Sequence, residues 1–201
     1  MMSDDIAAAK KAMRVESKER RREASEAAGP GAAAMFSDSF FSVASELGIR
    51  SGVVVAGYWA MADEFDVRPA LERMVLEDGV IGALPVVVEN GAPLIFRQWR
   101  PGLRLESGGF GTHHPPESVP ECIPDVVLVP LLAFDKRGYR VGWGGGFYDR
   151  TLQKLRKRRR GVVAVGTAYA GQEVESVVHD ELDQPVDWII TEQGATRIVP
   201  Q

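Results

Sequence analysis

The segment GYRVGWGGGFYDR, residues 138–150, brings together residue types that phosphate chemistry requires. It holds five glycines, with Arg140 and Arg150 near its ends and Asp149 beside the second arginine. Glycines let successive backbone N–H groups converge on an anion, and an arginine can pair with a phosphate through parallel hydrogen bonds. An aspartate offers a hard oxygen ligand to Mg²⁺, although it also caps helices. The glycines alone are equally compatible with a structural turn.

The elements on either side of this segment favour a phosphate-binding loop. Residues 125–135 form an apolar, β-branched run that predicts a buried strand, and residues 148–159 predict a helix. The glycines therefore lie between the end of a strand and the start of a helix, where unpaired N–H groups and the helix dipole attract anions. The glycine spacing matches neither the Walker pattern nor G-x-G-x-x-G.

Short β-branched runs alternate with helical patterns along the rest of the chain. The alternation predicts an α/β fold with three α/β/α layers, in which helices flank a largely parallel sheet. We expect one domain spanning residues 1–201, with a Gly- and Pro-rich ordered loop over 107–124. The further predicted elements are helices over 5–28, 31–48 and 68–79, and strands over 51–60, 80–91, 93–99, 161–169 and 185–194.

Composition excludes several classes of function. The 201 residues are 45% hydrophobic and 26% charged, with a formal net charge of −4, which is typical of a globular protein without a basic field for nucleic acid. The chain has no apolar run of the roughly 20 residues that a membrane span needs, and its start lacks the apolar region of a secretion signal. Cys122 is the single cysteine, which we interpret as structural. We expect a cytoplasmic monomer, with a dimer as the alternative, and no nucleic-acid or membrane partner.

Residues 132–150, LAFDKRGYRVGWGGGFYDR, resemble the signature of the 5-formyltetrahydrofolate cyclo-ligase family, also called 5,10-methenyltetrahydrofolate synthetases. Three further segments are similar to family motifs and occur in the expected order: AKKAMR (9–14), YWAMADEFDVRP (58–69) and ELDQPVDWIITEQG (181–194). The resemblance thus covers nearly the whole chain. The sequence departs from the family pattern at Val67, Leu131, Trp143 and Gly145, and a basic residue that some members have inside the glycine loop is missing.

The resemblance implies an ATP- and Mg²⁺-dependent ring closure. 5-Formyltetrahydrofolate, with one or several glutamates, would become 5,10-methenyltetrahydrofolate through a phosphorylated formyl group, with release of ADP and phosphate. The alternatives that remain open are a nucleotide- or folate-binding protein without turnover, and an ATP-dependent enzyme that acts on another substrate.

The resemblance also implies residue roles, with the helix over 5–28 contributing to the nucleotide site. Tyr148 and Arg140 would be catalytic, and Asp149 and Asp183 would bind Mg²⁺. Trp59, Glu64, Arg14 and Tyr148 would contact the folate. The nucleotide would be bound by Lys10, Arg14, Arg140, Gly142, Gly144, Gly145, Gly146, Phe147 and Tyr148.

Simpler roles remain open for several of these residues. Trp59 and Phe147 could belong to the core, Glu64 could be a solvated loop acid, and Lys10 and Arg14 could form an ordinary charged helix face.

The basic run KLRKRRR, residues 154–160, is typical of the exposed end of a helix, where cations are favourable. We also consider the hypothesis that it binds the polyglutamate tail of a folate.

Overall fold

The structure is a computed structural model that describes residues 3–158 and 161–199. Within these residues it has four α-helices: α1 Ser3–Ala28, α2 Ala32–Ser42, α3 Arg68–Glu77 and α4 Phe147–Arg158. The strands are β1 Val54–Ala56, β2 Ile81–Val86, β3 Ile95–Trp99, β4 Glu106–Ser107, β5 His113–His114, β6 Glu121–Cys122, β7 Val126–Pro130, β8 Ala133–Phe134, β9 Arg140–Val141, β10 Val163–Thr167, β11 Trp188–Thr191 and β12 Gly194–Arg197.

Eight strands form one sheet in the order β12-β11-β10-β7-β1-β2-β3-β6. The five central strands, β2, β1, β7, β10 and β11, pair in parallel. Strands β3, β6 and β12 add antiparallel pairs at the two edges of the sheet. When these five strands are renumbered 1 to 5 along the chain, their order across the sheet is 2-1-3-4-5, which is one of the two common doubly wound orders. The strand order reverses between β1 and β7, so this fold is expected to bind ligands beyond the carboxyl ends of those two strands.

Both faces of the central sheet are buried, and alternate residues of each strand reach opposite cores. In β7, Val126 and Leu128 pack in the same core as α2 and α3, whereas Val127 and Val129 pack with α4. This alternation follows from the two-residue period of a strand. The helices therefore lie on both faces of the sheet, and the predicted three-layer α/β/α fold with a largely parallel sheet is confirmed.

Helix α1 lies beside the end of the sheet and is tied to the turn that follows β10. Ser25 and Tyr169 are joined by a hydrogen bond of 3.1 Å between their hydroxyl oxygens. A Cβ atom at Gly171 would lie only 2.9 Å from Cβ of Ala24. Glycine at this position therefore lets the turn approach the helix more closely than a residue with a side chain would. This contact fixes the direction in which the first half of α1 extends. Within the described residues, no helix is long and apolar enough to cross a membrane.

Several predicted elements are longer than those in the structure; the strand predicted over 51–60, for example, spans only Val54–Ala56. The helix predicted over 31–48 ends at Ser42 and continues as turns to Gly48, whose φ is +76°. The strand predicted over 125–135 ends at Pro130, because the chain then forms the β8–β9 hairpin around the predicted turn at Asp135–Gly138.

The segment predicted as a long loop, residues 107–124, contains short strands. β4 pairs with β5, and β6 adds to β3 through the pair Phe96 and Cys122. Burial raises the pKa of the Cys122 thiol to about 11, with a smaller effect from the charge of Glu121. The thiol is therefore protonated at neutral pH, in agreement with the structural role expected for it.

We expect the packing of α4 against the sheet to be a main source of stability. Leu152 is fully buried in the core beneath α4. Leu152→Ala should lower the free energy of unfolding by about 2–5 kcal/mol, because it removes buried apolar surface and leaves a cavity. Urea denaturation measures this loss. Lys157→Ala on the exposed side of the same helix is the control and should change stability by less than about 0.5 kcal/mol. Equal effects of the two substitutions would contradict the assigned packing of α4.

Candidate active site

A cleft of about 910 Å³ lies beyond the carboxyl ends of β1 and β7. Tyr58, which follows β1, and Pro130, the last residue of β7, line it. The cleft therefore occupies the place where the strand order reverses. All the predicted site residues line it as well: Lys10, Arg14, Trp59, Glu64, Arg140, Gly142, Gly144, Gly145, Gly146, Phe147, Tyr148, Asp149 and Asp183.

The glycine loop and the start of α4 form one wall of the cleft. Gly144 and Gly146 have φ angles of +100° and +63°, which side chains adopt only with strain. A Cβ at Gly144 would lie 3.1 Å from the Arg14 guanidinium, and one at Gly146 would lie 2.6 Å from Nη1 of Arg150. The loop thus needs glycine both for its backbone conformation and to admit these arginines. The first N–H groups of α4 are available beside them, since a helix cannot satisfy its own first turn.

Arg14 and Arg150 are the uncompensated cations of this wall. Among the described residues, no carboxylate forms an ion pair with either of them. Arg150 donates from Nη2 to the Gly145 carbonyl at 2.6 Å, and its buried Nε has no hydrogen-bond partner in the described structure. These two side chains are placed to bind an anion. Arg150 was noticed in the sequence as a flanking charge but is absent from the predicted set of site residues.

Arg140 is placed differently, because its charge is already paired. Its side chain is only 5% exposed and donates from Nη2 to Oδ1 of Asp149 at 2.7 Å. Its Nη1 donates to the Gln184 carbonyl, and the Gln184 N–H donates to the same Asp149 oxygen at 3.1 Å. Arg140 therefore positions Asp149, and a direct contact with phosphate stays a prediction.

Lys10 reaches from α1 to two acids of the C-terminal loop. Its ammonium donates to Oδ2 of Asp180 at 2.7 Å and also to Oδ2 of Asp183. Burial opposes the charge of Lys10, but these hydrogen bonds outweigh it and raise the pKa of the lysine. Hydrogen bonding to Lys10 in turn lowers the pKa of Asp180. Because Lys10 is paired in this way and Arg14 lies against Gly144, the two do not form an ordinary solvated helix face.

The carboxylates of the cleft fit a metal ion that arrives with phosphates. The described residues contain no group of three or more His, Cys, Asp or Glu side chains that could hold a metal. Mg²⁺ is commonly bound through one or two carboxylates together with substrate phosphates, so such a group is not required. In the described structure, no hydrogen bond reaches Oδ2 of Asp149 or Oδ1 of Asp183. These two oxygens are the candidate ligands.

The other side of the cleft is built around Glu64, which is buried. Only 3% of its side chain is exposed, so the alternative of a solvated loop acid is wrong. Its Oε2 accepts from the Met61 N–H and its Oε1 accepts from Nε1 of Trp143, both at 3.0 Å. The turn before it includes Ala62 with a φ of +47°, a conformation that is rare without glycine.

Trp59 and Phe147 each contact both the core and the cleft. Trp59 packs against the core on the α2–α3 face and lies 4.7 Å beneath the Arg68 guanidinium. Phe147 packs against the core under α4 and lies beside Arg150. Both residues therefore pack against the core, as the simpler alternative expected, but both also line the cleft.

Tyr148 lies where it can act as a hydrogen-bond donor. Burial raises the pKa of its phenol, the charge of Glu64 raises it further, and Arg140 lowers it by less. The phenol therefore stays protonated throughout the neutral range. A protonated phenol can donate to a polar or charged oxygen in the cleft.

A comparison with known protein families identifies the family of the whole chain. The model of the 5-formyltetrahydrofolate cyclo-ligase family matches residues 6–192. The chain belongs to this family. The match extends from α1 to the residue after β11 and so includes every element that lines the cleft.

Curated cyclo-ligases are similar over most of the chain. The 5-formyltetrahydrofolate cyclo-ligase of Haemophilus influenzae is 38% identical over 142 residues, which cover 68% of this chain and 74% of the relative. That of Escherichia coli is 34% identical and covers 68% of this chain and 76% of the relative. A shorter match joins the chain to a mitochondrial cyclo-ligase of Arabidopsis thaliana, at 33% identity over 38% of this chain and 30% of the relative.

Solved structures of this cyclo-ligase family share the fold. The NMR structure of 5,10-methenyltetrahydrofolate synthetase from Aquifex aeolicus has a TM-score of 0.65 and 28% identity, covering 100% of this chain and 95% of that one. The synthetase from Mycoplasma pneumoniae has a TM-score of 0.63 at 23% identity, covering 91% of this chain and 98% of that one. Both agree with the doubly wound sheet and its flanking helices.

Three residues of this cyclo-ligase cleft were missed or left unexplained by sequence reasoning. Asp180 was not singled out, although it shares Lys10 with Asp183. Arg150 was noted as a charge that flanks the glycine loop but was given no binding role. Trp143 was noted as a departure from the family pattern, and its partner Glu64 could not be foreseen because 79 positions separate them.

The Lys10 ion pairs predict a specific change in acid titration. Lys10→Met should raise the pKa of Asp180 toward its ordinary value, because the cation that stabilises the carboxylate is removed. Carboxyl carbon NMR during a pH titration measures this shift. Since the folded-state pKa of Asp180 is lowered, its pairing stabilises the fold above the ordinary pKa and is lost as the pH falls through the lowered one.

The matched control is Lys11→Met, which removes an exposed lysine next to Lys10. It should leave the Asp180 titration unchanged. An Asp180 titration that does not move in Lys10→Met would refute the assigned pairing.

Proposed function

We propose that this chain catalyses the ATP-dependent conversion of 5-formyltetrahydrofolate to 5,10-methenyltetrahydrofolate, with release of ADP and phosphate. The observation that carries the proposal is that one cleft holds uncompensated arginines and a glycine loop together with the buried carboxylate of Glu64 and the partly exposed indole of Trp59. The first set of groups suits polyphosphate and the second suits a flat ring with polar edges. Family membership and the curated cyclo-ligases support the same reaction.

The phosphate side of the cleft would position and neutralise the nucleotide. Arg14 and Arg150 would bind phosphate oxygens, together with the N–H groups of the glycine loop and of the first turn of α4. Asp149, held by Arg140, and Asp183, held by Lys10, would keep carboxylate oxygens facing those phosphates. Mg²⁺, when bound, neutralises phosphate charge and orients the transferred group.

The chemistry requires the formyl oxygen to become a leaving group. That oxygen attacks the terminal phosphorus and ADP departs; N10 then attacks the formyl carbon, and phosphate leaves with the oxygen while N10 loses its proton. The protein contributes mainly alignment and electrostatic stabilisation. We assign Tyr148 as a hydrogen-bond donor to the formyl oxygen or to the phosphate charge, since its phenol stays protonated.

The folate side would hold the pterin ring. Trp59 offers an aromatic face, and Glu64 offers a carboxylate that can accept hydrogen bonds from pterin N–H groups. Arg14 lies against the glycine loop, within the same cleft, where it could contact either ligand. These contacts are proposals that the family resemblance and the shape of the cleft support.

The described part of the basic run, residues 154–158, does not line this cleft. Helix α4 starts at the cleft, and a helix rises about 1.5 Å per residue, so Arg158 is about 14 Å further along the axis than Asp149. Arg159 and Arg160 lie outside the described residues. The hypothesis that this run binds the polyglutamate tail of a folate stays a prediction.

The single domain over 1–201, the monomeric state and the cytoplasmic location stay predictions. Location is not uniform among relatives, since the Arabidopsis cyclo-ligase is named as mitochondrial.

An absorbance assay for methenyltetrahydrofolate tests the proposed reaction. The purified protein should form this product from 5-formyltetrahydrofolate when ATP and Mg²⁺ are both present. Omission of ATP, or chelation of Mg²⁺, should abolish product formation. Binding of both ligands without product would make the protein a non-catalytic binder, and ATP consumption with only another acceptor would assign a different substrate.

Arg150 should contribute to nucleotide affinity. Arg150→Met removes a cation that no carboxylate of the described structure compensates, so the KM for ATP should rise about tenfold or more, as expected for a charge-assisted hydrogen bond. The KM for 5-formyltetrahydrofolate should change much less. Arg158→Met, at the far end of α4, is the control and should leave both constants unchanged. An unchanged KM for ATP in Arg150→Met would exclude Arg150 from the nucleotide site.

A further inference from the structure

Trp143 occupies an unexpected position in the glycine loop. Half of its surface is exposed, yet its indole N–H is directed inward to Oε1 of Glu64 at 3.0 Å. Glu64 is buried and belongs to the side of the cleft that we assign to the folate. One hydrogen bond therefore connects the loop assigned to the nucleotide with the carboxylate assigned to the pterin.

The surroundings make Trp143 the hydrogen-bond donor on which this oxygen depends. Arg21 is the nearest cation, but its Nη1 lies 3.7 Å from Oε1 and makes no hydrogen bond in the described structure. Arg21 instead donates from Nη2 to Asp63 at 2.7 Å. Within the described residues, the Trp143 indole donates the only hydrogen bond to Oε1, while the Met61 N–H holds the other oxygen.

The position of Trp143 also allows its indole to move away from Glu64. Its ring lies beside Lys18 and Arg21, at 4.9 Å and 5.0 Å from the respective cations, and it is not enclosed by the core. Gly142 and Gly144 flank it, and glycines permit backbone rotation with little steric resistance. Rotation of the indole out of the cleft would bury less apolar surface, but in the described structure it would break no other hydrogen bond of this side chain.

We propose that the indole N–H of Trp143 is an internal substitute for a substrate N–H group. The indole hydrogen-bonds to Glu64 in the free protein, and the pterin displaces it on binding. The inference rests on the proposed function, because it requires a ligand whose N–H groups bind Glu64. The edge of a pterin carries an amino group and a ring N–H next to each other, which match one carboxylate. The exchange keeps Oε1 paired in both states, and a buried acceptor left unpaired would be costly.

This exchange makes Trp143 a specificity-determining residue that lowers apparent substrate affinity. A ligand without an N–H donor toward Glu64 gains nothing by displacing the indole, and a ligand with one must first break the existing bond. Removal of the indole N–H should therefore increase the affinity for the correct substrate, since the substrate then supplies a hydrogen bond that the free protein lacks.

Isothermal titration calorimetry with 5-formyltetrahydrofolate, in the absence of ATP, tests the exchange without turnover. Trp143→Phe keeps an aromatic ring and removes the N–H, and the Kd should fall about fivefold or more, as expected when an unpaired buried acceptor gains a donor. Lys18→Met is the matched control, since it alters the charge beside the ring but keeps the N–H; its Kd should stay within about twofold of the wild-type value. An unchanged or higher Kd for Trp143→Phe, or an equal fall for Lys18→Met, would overturn the inference.

Proton–nitrogen NMR of the tryptophan indoles gives a second readout on the wild-type protein. The chain has four tryptophans, and the Trp143 resonance is identified by its absence from the Trp143→Phe spectrum. Saturation with 5-formyltetrahydrofolate should shift this resonance upfield, away from the position of an indole bonded to a carboxylate. A resonance that stays in place would refute displacement. If the wild-type protein binds no 5-formyltetrahydrofolate at all, the proposed function fails together with the inference; binding without these effects overturns the inference alone.

Discussion

The parallel pairing of β1 with both β2 and β7 is the constraint on which the rest of the structure depends. Because the chain leaves β1 and β7 toward opposite faces of the sheet, α3 and α4 cannot cover the edge between them. The crevice that results receives the ends of several segments that are distant in sequence. The glycine loop, the turn that carries Glu64 and the first half of α1 all meet there.

The charges of the cleft fall into two kinds, which have different functions in the proposed mechanism. Lys10 and Arg140 are each paired with aspartates, and this pairing compensates charges that would be costly to bury alone. Arg14 and Arg150 have no such partner in the described structure and lie against glycines that leave room for them. The paired cations position acids, whereas the unpaired ones are available to an anionic ligand. Residue type alone does not distinguish the two kinds.

Much of the fold could be predicted because its signals are local. The apolar run at 125–135 marked a strand by its periodicity, and Pro69 and Gly79 marked the start and end of a helix. Prediction was wrong where pairing between strands decided the outcome. The strands within 107–124 are only two residues long and lie in a Gly- and Pro-rich segment, so they exist because β3 offers an edge and β4 meets β5. No local pattern carries that information.

The sequence by itself determined the family, the fold class and many of the residues that line the cleft, because these depend on motifs that each lie within one segment of the chain. Only the tertiary structure decided which of these residues are partners. Lys10 and Asp180 are 170 positions apart, and their ion pair depends on the direction in which α1 crosses the end of the sheet. Trp143 meets Glu64 because the fold brings the glycine loop against the turn that follows β1. A hydrogen bond requires an approach of about 3 Å, and the packing of whole elements, rather than any spacing along the chain, brings these atoms so close.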